Sequence, residues 1–363
     1  MKTGRGQALS WRLTRQFLAE GAASADRVVE RLGAMPAVSG DAELAVRRRL
    51  TSSAAGEVAR ALESGRVMKT YLFRGATHLV SPRVAGSYLA LRAAGRQWEL
   101  PSWVRHYGVE PRQWPTLRGI VRDLVADGPV TREQLAAGVT RDARFGRLGP
   151  AFTDNSDTFL KPFAWQGDIC FGPVRDGRAT FQSPSVSPLW SGIPDLDDAG
   201  RASVAAYFDA YGPATAENLY YWLGNGLSAG RKRIARWLAE LSDELAEITV
   251  DGRPMLQARR HLDALAAASP SAPVVLLPGH DQWVLGPGTA DGTIVPGKRR
   301  AAVSRGANLV VADGVVIGTW KAGPDTLAVS WFAEAGDAPR ADIESEARRL
   351  AALLGRDLAV SHA

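Results

Sequence analysis

One motif occurs twice in the middle of the chain and restricts the fold more than any other feature. Gly-Pro-x-Thr-x-Glu-x-Leu stands within "VADGPVTREQLAAGV" (residues 125–139) and again within "YGPATAENLYYWLG" (residues 211–224). In each copy Gly-Pro ends a preceding amphipathic helix. Thr131 or Thr215 then caps the next helix, because its hydroxyl accepts an unpaired N–H of the first turn. The repeat predicts two copies of a helix followed by a capped helix.

Each copy is followed by a further helical segment and then by a hairpin signal. Asp176-Gly177 and Asp251-Gly252 stand between strand-like residues, and Asp-Gly favours a tight turn because glycine accepts a positive φ. The last helix of the second copy is predicted over residues 228–245. Helix, capped helix, helix and hairpin is the order of a winged helix-turn-helix. The first 110 residues have a similar order without the Gly-Pro signature, with a hairpin through Arg74-Gly75.

The last part of the chain is rich in strand-like segments, and Asp313-Gly314 between valines predicts another hairpin. Short strands with tight turns favour a small β-barrel, and we expect a final helix to pack on it. The predicted fold is α+β, with three tandem winged helix-turn-helix units and a C-terminal small β-barrel. The expected boundaries are residues 1–110, 111–190, 191–268 and 269–363.

Composition limits the classes of function. The 363 residues carry 44 Lys and Arg against 38 Asp and Glu, a net charge of +6, which fits a polyanionic partner without requiring one. The single cysteine, Cys170, excludes an internal disulfide framework, and the histidines lack the spacing of a metal site. No apolar run approaches the roughly 18 residues of a membrane span. We expect a soluble, cytoplasmic monomer without a metal or cofactor.

Four stretches together resemble the bacterial winged-helix family that includes the AlkZ- and YcaQ-type DNA glycosylases. They are "YLFRGATHLVSP", "YGPATAENLYYWLG", "LLPGHDQWVLG" and "VVADGVVIGTWK", in the family's order, and the resemblance runs from about residue 8 to residue 360. It implies three winged helices and a β-barrel around a channel for double-stranded DNA. The implied activity removes alkylated or cross-linked purines by cutting the N-glycosidic bond, and the family is associated with self-resistance to DNA-alkylating natural products.

The resemblance also implies a catalytic signature, Gln-x-Gln or Gln-x-Asp, after the second helix of the first unit. There a polar pair holds water near C1′ and stabilises the cationic sugar of the transition state. Counting forward from "VVERL" and backward from "RRRL" places Met35 and Ala37 at those two positions. Neither side chain can orient a water molecule, so the family chemistry is not carried over to them.

Two other side chains are candidates for chemistry. Asp281 matches an acidic position of the family barrel, and it is expected either to face the channel and activate water or to bond local backbone in a turn. The adjacent His280 stands where an aromatic residue is expected. His78, in the first hairpin, is expected either to line the DNA surface or to brace the hairpin through a backbone hydrogen bond.

Basic side chains and their neighbours are the candidates for DNA contact. They are Arg74, Thr77 and His78 in the first hairpin, Arg231, Lys232 and Arg233 on the predicted helix, and Lys298, Arg299, Arg300 and Arg305 in a loop between barrel strands. A basic helix behind a helix-turn-helix suits phosphate contact, and a solvated polar face explains it equally well. We interpret "VRRRL" (residues 46–50) as a mostly solvated helix face and several tryptophans, Trp222 and Trp237 among them, as core residues.

Three hypotheses of function follow. The leading one is a double-stranded DNA-binding protein of this family that lacks the usual catalytic pair and recognises damaged or distorted duplex through phosphates and shape. The second is an active glycosylase with relocated catalytic residues. The third is a regulator or sequestering protein that binds a small-molecule genotoxin in the channel.

Overall fold

The computed structural model describes residues 1–38 and 41–362, in which short helices alternate with four small sheets. The first part of the chain contains β1 (Lys2–Thr3), α1 (Arg5–Arg15), α2 (Ala25–Leu32), β2 (Met35–Pro36), α3 (Ala42–Arg47), α4 (Glu57–Glu63), β3 (Met68–Tyr71), β4 (Thr77–Val80), α5 (Pro82–Ala93) and α6 (Pro101–Tyr107). The second contains α7 (Trp114–Leu124), β5 (Val130–Thr131), α8 (Arg132–Val139), α9 (Gly149–Thr153), α10 (Lys161–Trp165), β6 (Cys170–Phe171) and β7 (Thr180–Gln182).

The second half continues the alternation. The third part contains α11 (Leu196–Tyr211), α12 (Ala216–Leu219), a π-helical turn (Tyr220–Asn225), α13 (Arg231–Glu240), β8 (Leu245–Val250), β9 (Arg253–Ala258) and α14 (Leu262–Ala267). The fourth contains β10 (Val275–Leu277), α15 (Gln282–Leu285), α16 (Arg300–Ser304), β11 (Asn308–Ala312), β12 (Val315–Ala322), β13 (Thr326–Trp331), α17 (Arg340–Leu354) and β14 (Ala359–His362). No described helix is long and apolar enough to cross a membrane.

The first three parts repeat one arrangement. In the first and second, a short strand between helices pairs with the later hairpin, giving the orders β2-β4-β3 and β5-β7-β6. In the third, a single bridge between Ala214 and Leu256 occupies the equivalent place, and β1 adds to the far edge of the hairpin, parallel to β8. Each unit therefore presents its hairpin beside its helices.

The turns and caps that the sequence predicts are present. Asp176, Asp251 and Asp313 have φ between 46° and 49°, and each is followed by a glycine that also has a positive φ. The hydroxyls of Thr131 and Thr215 accept the N–H of the third residue of α8 and α12, in capping boxes that Gln134 and Asn218 complete. These predictions are confirmed.

The predicted C-terminal barrel is wrong. The strands form a five-stranded sheet in the order β10-β11-β12-β13-β14, and among the described residues no sheet closes on itself. Closure would require β10 to pair with β14. Instead, the apolar side of α17, with Ile343 and Leu350, packs against one face of the sheet, and this confirms the expected final helix.

The helix α1 joins the sheet to the third unit. Leu9 and Leu13 are buried with Leu277 and Val311 on the face of the sheet opposite α17. On its other side, α1 buries Trp11 against Ile248, among the residues of the third hairpin. The first element of the chain is therefore packed between two late ones.

Three further expectations need correction. The helix predicted over residues 228–245 is shorter, Arg231–Glu240. The basic loop before β11 lies between α15 and β11 and includes the helix α16. "VRRRL" is not a solvated face, because Arg48 and Arg49 are buried and pair with Glu346 and Asp281, carboxylates far away in the sequence.

Candidate functional site

A cavity of about 280 Å³ lies where the first hairpin, the π-helical turn and the start of α15 meet. Its lining combines aromatic and aliphatic side chains with a few polar ones: Pro36, Val38, Phe73, Arg74, Ala76, His78, Tyr221, Trp222, Gly226, His280, Gln282 and Leu285. Enclosed, mostly apolar pockets with a few convergent polar groups are the usual form of a binding site. This cavity is therefore the candidate site.

The segment of β2 contributes an inert wall. Successive side chains of a strand point to opposite faces, and here Pro36 and Val38 line the cavity. Met35 is 1% exposed and belongs to an apolar cluster of the first unit, and Ala37 packs against the same cluster. Met35 and Ala37, the two positions that the family resemblance assigns to the catalytic pair, therefore do not line this cavity. The residues that do face the cavity are equally unable to orient water.

The π-helical turn and the first hairpin form the aromatic wall. The ring centroids of Phe73 and Trp222 are 4.0 Å apart, and the rings of Tyr88 and Tyr211 pack behind them at 5.8 and 5.5 Å. Trp222 is buried, as its spacing predicts. A flat ring that entered the cavity would meet aromatic side chains.

His78 supplies a neutral acceptor. Its Nδ1 lies 3.0 Å from the carbonyl oxygen of Ala76, so Nδ1 carries the proton and donates, and Nε2 keeps its lone pair. Burial lowers the pKa of His78 to about 4, although the bond to Ala76 acts in the opposite direction. Within the described residues Nε2 has no hydrogen-bond partner. His78 therefore braces the hairpin, as one of the two interpretations expects, and it also lines the cavity.

Gln282 supplies an amide that the sequence analysis missed. Its Nε2 donates to the carbonyl oxygen of Ala34 at 2.5 Å, and its Oε1 lies 3.3 Å from the hydroxyl of Tyr211. The same hydroxyl is 2.8 Å from the carbonyl oxygen of Leu32. Gln282 and Tyr211 therefore fix the backbone just before Pro36. The only signal in the sequence is a lone amide at the start of an apolar segment, "DQWVLG".

Asp281 does not face the cavity. Its two carboxylate oxygens accept from Arg49 at 2.7 and 2.8 Å, and one also accepts from the backbone N–H of Trp283 at 2.8 Å, which caps α15. Its side chain is fully buried, and Asp281 lines a separate void of about 20 Å³. The expectation that Asp281 faces the channel is wrong, and the alternative of a turn residue that bonds backbone is correct. Its neighbour His280, at φ 59°, does line the cavity.

Most side chains that are predicted to contact DNA are exposed, and the others are partly or fully buried. Six basic side chains are exposed and take part in no ion pair among the described residues: Arg74, Arg231, Lys232, Lys298, Arg300 and Arg305. Arg233 is half-buried and donates to the carbonyl of Ala229. Thr77 is half-buried, and its carbonyl accepts from Ala37 in the strand pairing.

Arg299 is the exception among the predicted contacts. It is 6% exposed, its Nε donates to Glu334 at 3.1 Å, and its Nη1 donates to the carbonyl of Val316. The expectation that it contacts DNA is wrong, because these partners hold the guanidinium inside the C-terminal part.

The chemistry available in the cavity follows from its lining. The polar groups are a neutral imidazole, an amide, a guanidinium and His280, and none of the lining residues is a carboxylic acid. Among the described residues no three His, Cys, Asp or Glu side chains are grouped to hold a metal ion. The cavity can stack a planar ring and accept a hydrogen bond at His78.

The cavity, with its aromatic wall and the exposed Arg74 in its lining, has the form of a ligand-binding pocket. Residues 29–353 match the AlkZ-like DNA glycosylases, and the chain belongs to that family. It is 36% identical to an interstrand DNA cross-link repair glycosylase of Streptomyces sahachiroi over 98% of each chain. The solved structure of the DNA glycosylase AlkZ of the same organism is similar over the full length of both chains, with a TM-score of 0.94 and 35% identity.

Proposed function

We propose that this chain binds double-stranded DNA that carries an alkylated or cross-linked purine, and that it does so without the polar pair that the family resemblance assigns to hydrolysis. Its three helix-and-hairpin units act as winged helices on the duplex, and the cavity receives the damaged site. The observation that carries the proposal is the wall of the cavity formed by Pro36 and Val38.

A pyrrolidine ring and an isopropyl group have no donor or acceptor. They cannot hold a water molecule near C1′, and they cannot stabilise positive charge on the sugar as an amide dipole or a carboxylate does. Asp281, the carboxylate next to the lining residues His280 and Gln282, is already neutralised by Arg49. The binding surface thus remains, and the usual means of hydrolysis is missing.

The charge distribution supports the DNA partner. Arg74 and His280 line the cavity, and the backbone next to Arg305 packs against the ring of His280. Exposed guanidinium and ammonium groups without carboxylate partners are free to displace counterions from phosphates. We therefore expect the affinity for duplex to fall steeply as the salt concentration rises.

A second candidate function is excision through relocated groups. The observation that favours it is the free lone pair of His78 Nε2, which can accept a proton from water, together with the amide of Gln282 in the same lining. In this case His78 orients the attacking water and the second lone pair of Gln282 Oε1 faces the developing cation.

One assay separates the two candidates. Purified protein is incubated with a duplex containing N7-methylguanine, and released base is measured above the spontaneous rate. The proposal expects no release by the unaltered chain and release by Pro36→Gln/Val38→Gln. Met35→Gln/Ala37→Gln is the matched control, because it adds the same two amides to the opposite face of the segment.

Release by the unaltered chain that is lost in His78→Asn would instead establish the second candidate. Release that survives this substitution would contradict both. Binding of the same duplex is measured in parallel, so that a variant without activity is distinguished from one that no longer binds DNA.

A further inference from the structure

We propose that Arg74 and Arg231 form a paired phosphate-binding site at the mouth of the cavity, each guanidinium held by the ring of one of two consecutive tyrosines. The inference rests on the proposed function, and it names the two side chains that contact the DNA backbone on either side of the nucleotide at the cavity. The two arginines come from the first and the third unit, so the site exists only when both units are assembled.

The geometry is the first evidence. The guanidinium carbon of Arg74 lies 4.8 Å from the ring centroid of Tyr221, and that of Arg231 lies 4.4 Å from the ring centroid of Tyr220. Arg74 has a left-handed backbone, with φ 53°. Both distances are within the range of cation–π contacts. The two long side chains are therefore ordered before any ligand binds.

The π-helical turn is the second evidence. Tyr220 and Tyr221 open the turn, which extends to Asn225, and π-helical turns are rare and often found at functional sites. Tyr221 is held further by Gly288, where a Cβ atom would lie only 3.0 to 3.2 Å from the tyrosine ring. Tyr221 also lines the cavity together with Arg74. The turn thus places the Arg74–Tyr221 pair at the cavity, and Tyr220, the residue before Tyr221, contacts Arg231.

The charges are the third evidence. Two other arginines of the third unit are neutralised: Arg201 pairs with Asp198 and Glu240, and Arg236 pairs with Asp197 and Glu240. Arg74 and Arg231 take part in no ion pair within the part of the chain that the structure describes. The side chain of Lys161 passes close to Gly75, the residue after Arg74, and its ammonium group lies 5.8 Å from the ring centroid of Tyr71. The guanidinium groups of Arg74 and Arg231 are therefore available to bind an anion.

The chemistry selects phosphate. Stacking covers a face of the guanidinium plane and leaves the in-plane N–H groups free, and this fork matches two phosphate oxygens. A strand whose nucleotide reaches the cavity must pass its mouth. The phosphates that flank this nucleotide are the anions that the two arginines meet, whatever the base sequence.

Salt dependence of binding tests the inference. Equilibrium affinities of the unaltered chain, Arg74→Ala, Arg231→Ala and the double variant are measured from 50 to 200 mM salt on a duplex with one N7-methylguanine. Each substitution should lower the slope of log affinity against log salt by about 0.9, and the double variant by about twice that. Each should weaken binding by roughly tenfold at low salt. Arg201→Ala, which removes a paired arginine of the same unit, should leave the slope unchanged.

Conservative variants separate stacking from charge. Arg231→Lys and Tyr220→Leu should keep the slope and still lose affinity, because the charge remains and the ordered fork is lost. If the unaltered chain binds duplex with a steep slope that neither alanine variant changes, this inference is overturned and the proposed function stands. If the unaltered chain shows no salt-dependent binding, the proposed function is overturned and this inference with it.

Discussion

At the scale of single residues, the sequence indicates which positions are of interest but not what each side chain does there. The family resemblance singles out Asp281, but its partner Arg49 lies 232 residues away, in a stretch whose pattern predicts a solvated face. No local pattern encodes such a pairing, because it depends on how α3 and α15 are brought together. Similarly, the sequence identifies the inert stretch around Pro36, but the choice of which side chains face the cavity depends on the pairing of β2 with β4.

Removing the carboxylate of Asp281 should destabilise the fold. Asp281→Asn leaves Arg49 buried and uncompensated, and we expect a loss of about 3–5 kcal/mol in the free energy of unfolding, measured by urea titration. Asp26→Asn, which breaks an exposed pair with Arg66, should have little effect. Equal stability of the two variants would contradict a role of the buried pair. A loss of base release in Asp281→Asn would therefore not by itself show catalysis.

His78 should make stability depend on pH. Burial lowers its pKa to about 4 in the folded chain, below the ordinary value of about 6.5. Below about pH 6.5 the imidazole of His78 binds a proton in the unfolded chain but stays neutral in the folded chain. Its contribution to the free energy of unfolding is therefore complete above this pH and is lost as the pH falls toward 4. Between pH 7.5 and pH 5 the unaltered chain should lose about 2 kcal/mol more than His78→Asn. Parallel declines in urea titrations would show that His78 does not titrate in this way.

At the scale of elements, the repeated motif predicts the local structure of each capped helix but not how deeply each cap is buried. Both threonine caps form as the sequence indicates, because the capping contact joins residues three apart. The environments differ. Thr131 is half-buried at the start of α8, whereas Thr215 and Asn218 are buried, and the amide of Asn218 also donates to the carbonyl of Pro287 and to Asp291. The same capping motif therefore contributes differently to stability in the two units.

The two caps should respond differently to the same change. Thr131→Ala should cost about 1 kcal/mol of stability, the ordinary value of a lost cap. Thr215→Ala should cost about 2–3 kcal/mol, because it leaves the buried backbone N–H of Asn218 without its acceptor and removes one of the two donors to Asn218 Oδ1. Thermal unfolding of the two variants measures the difference. A larger loss in Thr131→Ala would contradict the assignment of the buried network.

At the scale of the whole molecule, long-range packing decides what the sequence alone could not. The apolar pattern predicts strands near the C-terminus, but their open order depends on α17 and α1 covering the two faces of the sheet. The number of basic residues in the sequence also overstates the positive charge that is available to a partner. Five arginines are buried among the residues that the structure describes, namely Arg12, Arg48, Arg49, Arg92 and Arg299, so fewer positive groups face a partner than the composition indicates.

Weakening α1 should loosen two distant parts at once. Leu13 is fully buried against the C-terminal sheet, and Leu13→Ala should cost about 2–5 kcal/mol. Hydrogen exchange should show reduced protection in β11 and also in β8, because α1 contacts both regions. Leu100→Ala is the control, because Leu100 is 47% exposed. Reduced protection in β11 alone would show that α1 does not couple the two parts.

The pairing of Arg49 with Asp281 has a consequence for the ribosome-bound chain. Arg49 and Asp281 are 232 positions apart, so at a synthesis rate of about 5–20 residues per second the arginine is made about 12–46 s before its carboxylate. Until then the first unit cannot enclose that cation at low cost. Completion of the N-terminal part must therefore wait for almost the last quarter of translation.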